Sequence, residues 1–265
     1  MLQTVEPFEF TGRTPTGKTR PAFAVATDAD GNNVDVVLKL SFSSERGISG
    51  MAMEAVVACL AGDLGLPVPQ PYIARLTPQF IDATASVDPE WATLASRSCR
   101  RTFASKRVPD GFTTWVSGGK IPPTSQVAAA SILLLDAVSK NADRRPENPN
   151  LLVRGDEFRI IDHELCFPTF LLTLGNAWEI GGLQGMATVD WHILRDGLQG
   201  QNIDWSATVG SWQALSDDMI DAYATCLPQE WEEAQPAIAP ALDRIKQARD
   251  NAADCAAEVQ RIIKC

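Results

Sequence analysis

Residues 141–162 read NADRRPENPNLLVRGDEFRIID and hold the residue types in this chain best suited to chemistry. Asp143 stands five positions before Asn148, and a second aspartate, Asp162, ends a β-prone run. A carboxylate can direct a hydroxyl and take its proton, while an amide oxygen and a second carboxylate can hold magnesium against phosphates. Together these groups suit phosphoryl transfer. The D-x-x-x-x-N spacing alone is a weak signal, because aspartate and asparagine are also ordinary residues of polar turns and caps. Its weight comes from the elements around it.

Those elements are local. Residues 129–140 (AASILLLDAVSK) read as a helix that delivers the loop. Leu151, Leu152 and Val153 form a short apolar run, Gly155 and Asp156 signal a turn, and residues 158–161 are β-prone again. A tight hairpin returns the chain to its start, so Asn148 and Asp162 are expected at one end of two neighbouring strands. The same D-x-x-x-x-N spacing occurs in the protein-kinase catalytic loop. Asn150 is a second amide near the same place, and the assignment of Asn148 rests on spacing.

Phosphoryl transfer also needs a cation on the nucleotide phosphates. Residues 36–40 (VVLKL) form a strand pattern with Lys39 near its end, and Glu54 lies near the start of the helix that follows. A buried ammonium is costly unless it is paired, so Glu54 is expected to hold Lys39 toward the phosphates. The bland alternative places Lys39 on an exposed edge strand and Glu54 on a solvated helix face. A backbone hinge for adenine is expected around residues 103–107.

A competing motif lies upstream. Residues 12–19, GRTPTGKT, match the phosphate-loop pattern G-x-x-x-x-G-K-[ST] in full. That loop works at the N-terminus of a following helix. Here Pro21 and a strand-like run, residues 22–27, follow instead. The segment is therefore read as a turn over the nucleotide or as an N-terminal loop. Arg13, Lys18, Arg20, Arg100, Arg101, Lys106, Arg107, Arg144 and Arg145 are the other cations from which a phosphate contact could come.

Composition sets outer bounds. The chain has 265 residues and a formal net charge of −10, enough length for a substantial core and no suggestion of nucleic-acid binding. Six cysteines without a C-x-x-C pair and two histidines, His163 and His192, leave no zinc or disulfide framework. Cys59 and Cys166 read as small core residues, and His163 and His192 as structural ones. The N-terminal residues lack a basic region followed by an apolar run, and no stretch reaches membrane-spanning length. A cytoplasmic location without membrane contact is the expectation.

The order of elements completes the picture. Residues 8–11, 22–27 and 34–42 read as strands, residues 51–65 as a helix, and residues 71–76 and 102–107 as extended. Residues 77–101 read as helical or irregular. Beyond about residue 125 the pattern is helical apart from the hairpin, with helices expected near 172–178, 189–198, 211–225, 229–234 and 241–263. The expected fold class is α+β: a bilobal protein-kinase-like fold, with a small β-rich N-lobe carrying one helix (residues 1–108) and a mostly helical C-lobe (residues 109–265).

The combination of NADRRPENPNLLV, IIDHELCF, VVLKL, MEAVVACLAGDLGLPVP and GRTPTGKTRP resembles the HipA-like kinases, and more loosely the phosphatidylinositol 3/4-kinase-like fold. The resemblance is strongest over residues 35–76 and 130–167. It implies an ATP- and magnesium-dependent phosphotransferase, with Lys39 on the nucleotide phosphates, Glu54 as its partner, Asp143 as catalytic base, and Asn148 and Asp162 as metal ligands. A protein Ser/Thr hydroxyl is the expected acceptor. The alternatives are a small-molecule kinase, or a kinase-fold nucleotide-binding or interaction module without phosphotransfer, for which the C-terminal tryptophans would supply contacts. The chain departs from the pattern at His163, where protein kinases carry the phenylalanine of D-F-G. The segment after it, residues 164–173, is short and apolar for an activation loop. An extra N-terminal subdomain found in toxin-type members is expected to be lacking.

Overall fold

The computed structural model describes residues 2–15, 17, 19–116, 118–168 and 175–265. Strand alternation organises the first part. β1 (Gln3–Arg13), β2 (Ala22–Thr27) and β3 (Asn33–Lys39) form an antiparallel meander. Ala22, Ala24 and Ala26 of β2 and Val36 and Leu38 of β3 are buried on one face. The turn at residues 28–32 is held by Asp28, whose carboxylate accepts the backbone N–H groups of Asp30 and Asn32, as its composition predicted. β4 (Pro71–Arg75) and β5 (Arg101–Lys106) complete the set. Parallel pairing of β1 with β4 closes the five strands into a barrel of order β1-β2-β3-β5-β4.

Three helices accompany the barrel, so the expectation of one is corrected. α1 (Gly47–Asp63) begins before the predicted start and is buried on nearly all sides. It ends where Leu66 N–H reaches back to the Ala61 carbonyl and Gly65 takes a φ of 72°, a left-handed stop that favours glycine. Residues 77–97 fold into α2 (Pro78–Ala85) and α3 (Pro89–Arg97). Each starts with a capping side chain, Thr77 or Asp88, followed by proline at the first helical position. Both helices pack on the barrel interior through Phe80, Ile81 and Trp91. α1 instead joins the larger apolar cluster formed with the later helices.

The second part contains β6 (Thr113–Thr114), α4 (Gln126–Ser139), and the hairpin β7 (Leu151–Arg154) and β8 (Glu157–Ile160), paired in the order β6-β7-β8. The helical expectations beyond it are partly corrected. Residues 172–174 lie outside the described residues, and 175–178 form a turn. Residues 189–198 contain only one 3-10 turn, Asp196–Leu198. The helix predicted over 211–225 is divided into α5 (Ser206–Gln213) and α6 (Asp217–Thr225), because Ser216 leaves helical geometry and caps Met219 N–H. A 3-10 helix over Gln229–Ala234 leads into α7 (Gln235–Asp250). The long terminal helix breaks at Asn251, giving α7 and α8 (Ala252–Lys264).

Trp212 and Trp231 are fully buried in the core, and the partly buried Trp178, Trp191 and Trp205 pack against the same cluster. No helix among the described residues is long and apolar enough to cross a membrane.

Candidate active site

Side-chain alternation along β3 sends Val36 and Leu38 into the barrel, and therefore turns Lys39 outward toward α1. Its Nζ lies 2.9 Å from Glu54 Oε2 and 2.8 Å from Asp162 Oδ1. Glu54 is 3 % exposed in the second turn of α1. Burial alone would neutralise Lys39, but the Glu54 and Asp162 carboxylates outweigh it and hold the ammonium above its ordinary range. Burial likewise pulls the Glu54 carboxyl upward, and the Lys39 charge overrides it, keeping Glu54 ionised below the usual carboxylate range.

Glu54 does more than pair with a lysine. Its Oε2 also accepts the backbone N–H of His163 at 2.5 Å, which ties α1 to the chain directly after Asp162. Asp162 itself has a φ of 62°. That left-handed conformation is unfavourable for aspartate outside turns, and it is held by the Lys39 bond on one side and the His163 bond on the other. His163 is buried, with its ring Nδ1 3.6 Å from Glu54 Oε1.

Glu164 was not singled out from the sequence, yet it belongs to this cluster. Its Oε2 accepts Ser44 Oγ at 2.8 Å, and Arg46 donates to the carbonyls of Glu164 and Cys166. Burial raises the Glu164 carboxyl, with the Lys39 charge opposing and Asp162 reinforcing the rise.

The catalytic-loop candidates sit beyond the end of α4. Lys140 caps this helix in a left-handed conformation and gives its N–H to Asp136. The loop then places Asp143 so that its Oδ2 accepts Asn148 Nδ2 at 2.7 Å and Asn150 Nδ2 at 3.1 Å. A carboxylate only accepts, so both amides turn their nitrogens to Asp143. The Asn148 oxygen then has no donor among the described residues. Asn150 is the more buried of the two amides, and its carbonyl accepts Ile161 N–H at 3.1 Å. This bond and the Leu151–Ile160 pairing join the Asp143 loop to the strand that ends at Asp162. The two strands pair about the turn at Gly155, as the sequence predicted.

A buried network holds the loop from below. Asp136, on the last turn of α4, accepts Arg144 Nε at 2.6 Å, Asn141 Nδ2 at 2.8 Å and His192 Nε2 at 2.8 Å. Leu194 N–H donates to His192 Nδ1, so Nε2 carries the proton given to Asp136. Burial would raise the Asp136 carboxyl, and Arg144 and His192 outweigh it and hold it well below the carboxylate range. Arg144 also donates to the Asn150 carbonyl.

Arg144 is therefore corrected as a candidate phosphate contact: it is fully buried on Asp136, whereas its neighbour Arg145 is exposed. Asp136 was missed because a lone acid in an apolar helix carries no motif. A charged residue inside LLLDAV was the available signal.

Other sequence candidates lie elsewhere. Gly12 and Arg13 fall within β1, and Thr14 N–H bonds the Pro21 carbonyl, so the phosphate-loop pattern is a connection between two antiparallel strands. Thr16 and Lys18 lie outside the described residues. Arg13 pairs with Asp88 and Glu90, and Arg20 with Glu90, which engages both with α3. Residues 103–106 are built into the barrel between β3 and β4, and the chain leaves it at Arg107. Of the apolar segment after Asp162, residues 169–173 lie outside the described residues.

Asp162 and Asn148 offer hard oxygen ligands of the kind that magnesium takes alongside phosphate oxygens. No group of three or more His, Cys, Asp or Glu side chains arranged to hold a metal occurs among the described residues.

Two solved structures show likeness over most of the chain. The crystal structure of a Helicobacter pylori proinflammatory kinase, CtkA, matches with a TM-score of 0.40 and 12% identity, covering 92% of this chain and 98% of that one. The MAP kinase LmaMPK10 from Leishmania major matches with a TM-score of 0.29 and 10% identity, covering 93% and 82%. No curated protein sequence matches. The family model described as HipA-like kinase matches residues 8–258. The chain belongs to the HipA-like kinase family.

Proposed function

We propose that this HipA-like kinase is an ATP- and magnesium-dependent phosphotransferase acting on a protein Ser/Thr hydroxyl. The observation that carries this reading is the double ion pair of Lys39, which joins a strand, a helix and a hairpin end through Glu54 and Asp162. In this reading the molecule is two-lobed and protein-kinase-like, with residues 1–108 as N-lobe and 109–265 as C-lobe. α1 bridges them through the larger cluster.

Lys39 holds the nucleotide phosphates and is itself aimed by Glu54. Asn148 and Asp162 would hold the magnesium ion, which would supply charge neutralisation for phosphoryl transfer. Asp143, fixed by two amide donors, orients the acceptor hydroxyl for in-line attack and receives its proton. Catalysis is then mainly positioning and charge neutralisation, which fits a site whose charged groups are pinned before substrate arrives.

The test is incubation of purified protein with γ-labelled ATP, magnesium and a generic protein acceptor, beside Asp143→Ala. Transfer by the wild type is expected, with a loss of about 10²–10⁴-fold in the variant and nearly unchanged nucleotide affinity. Equal transfer by both proteins, or no magnesium-dependent ATP binding, would overturn the reading.

A further inference from the structure

The connection from β3 to α1 reads LSFSSER over residues 40–46 and joins the strand of Lys39 to the helix of Glu54. Its residues are poorly chosen for starting a helix. α1 has no side-chain cap at its N-terminus and no acid in its first turn. Arg46 instead sets a cation at the positive end of the helix dipole, which costs stability. The side chains of Ser44 and Arg46 are engaged elsewhere, on the segment that follows Asp162.

That segment is a tight turn. Asp162 (φ 62°) and Phe167 (φ 49°) both take left-handed conformations that residues other than glycine seldom adopt. Between them, Cys166 N–H bonds the His163 carbonyl at 3.0 Å. Such a turn keeps its shape only where its surroundings hold it. On one side Phe167 N–H donates to the Ser139 carbonyl, at the end of α4, at 2.6 Å. On the other, Arg46 Nη1 donates to the Glu164 and Cys166 carbonyls at 3.0 and 2.9 Å. Ser44 Oγ donates to Glu164 Oε2 at 2.8 Å. The turn is gripped between α4 and the start of α1.

Gly50 marks the same contact from the helix side. No left-handed φ requires glycine there, and alanine is the better helix former. A Cβ at this position would collide with Ser44 Oγ and lie 3.5 Å from Glu164 Oε2. The missing side chain lets Ser44 and Glu164 meet against α1.

We propose that Ser44 and Arg46 are positioning residues for phosphoryl transfer. By gripping residues 164–166 they keep Asp162 and the His163 N–H against Lys39 and Glu54. Each acts through Asp162 rather than on substrate, so the inference rests on the reading of Asp162 as a magnesium ligand. The grip also couples the two ends of the site: the connection that leaves Lys39 is the one that holds the turn after Asp162.

The test compares the full chain with its Ser44→Ala, Arg46→Met and Gly50→Ala variants. Turnover is followed with γ-labelled ATP and a generic protein acceptor, and ATP binding is titrated with magnesium. Hydrogen exchange is read by mass over peptides covering residues 160–167, beside thermal unfolding. Each variant should lower kcat by about tenfold or more and raise the magnesium concentration for half-maximal ATP binding. Exchange over residues 163–167 should quicken by about tenfold, while Tm falls by less than about 3 °C in Ser44→Ala. Gly50→Ala should behave like Ser44→Ala although alanine favours the helix.

Unchanged exchange over residues 163–167 in both Ser44→Ala and Arg46→Met would overturn the proposal. So would faster exchange with kcat and magnesium requirement unchanged. Faster exchange throughout the chain, in step with a large fall in Tm, would reduce the two residues to a general structural role and overturn it as well. A wild type that binds no magnesium–ATP would refute the kinase reading instead, and exchange would still show whether Ser44 and Arg46 hold the turn.

Discussion

Asp136→Asn should be among the most costly single substitutions in this protein, although Asp136 touches neither of the ion pairs around Lys39. The Asp136 and Arg144 side chains are both 0% exposed, and their contact is 2.6 Å. Asparagine has nearly the same shape, but its single oxygen can take the place of Oδ2, which accepts from Arg144 and His192, or of Oδ1, which accepts from Asn141, not of both, and it removes the only negative charge that faces Arg144 among the described residues. An uncompensated buried guanidinium costs about 3–5 kcal/mol. For a chain of this size that corresponds to a fall in Tm of roughly 6–15 °C.

The assay is thermal unfolding of Asp136→Asn, Arg144→Met and the double variant. Because the cost lies in the unpaired charge, the double variant should recover about 2 kcal/mol or more relative to the sum of the singles. Additive losses, or a single-variant Tm drop under about 3 °C, would refute the reasoning. The pH dependence adds a check of sign. The folded Asp136 carboxyl lies below its unfolded value, so its contribution is fully present above about pH 4–5. It is lost as pH falls through the folded value. The gap between wild type and Asp136→Asn should therefore narrow below about pH 4, and a gap that widens there would contradict the assignment.

Two further predictions concern the site. Lys39→Met should weaken magnesium–ATP binding and lower turnover by about 10²–10³-fold. Titration of the variant should also show Glu54 with a raised pKa, since the charge holding it down has gone; unchanged ATP affinity would remove Lys39 from the phosphates. The two amides on Asp143 should separate by function. Asn148→Ala should raise the magnesium concentration needed for half-maximal activity with little change in Tm, whereas Asn150→Ala should cost about 1–3 kcal/mol of stability, and the reverse pattern in magnesium titration and thermal unfolding would exchange their roles.

What was legible in the sequence is what short-range geometry determines. The D-x-x-x-x-N loop, the turn at Gly155 and the strands on either side lie within 22 consecutive residues, so their convergence needs no distant partner. β3 alternation alone turns Lys39 away from the barrel. Even α2 and α3, expected only as helical or irregular, carried readable starts in Thr77-Pro78 and Asp88-Pro89.

Tertiary structure decided the rest. Lys39 and Asp162 are 123 positions apart, and their contact exists only because α1 packs between barrel and hairpin. Arg144 and Arg145 are adjacent and chemically identical; one is buried because Asp136 and His192 arrive beneath it from other parts of the chain. The parallel β1–β4 pairing that closes the barrel joins strands separated by two others, a helix and several turns. The breaks at Ser216 and Asn251 interrupt apolar patterns that run on through them. Local pattern determines which face of an element is apolar and where a tight turn returns. Burial of a charge and closure of a sheet depend on which distant surfaces pack together, because desolvation and pairing energies belong to the assembled environment and not to the segment.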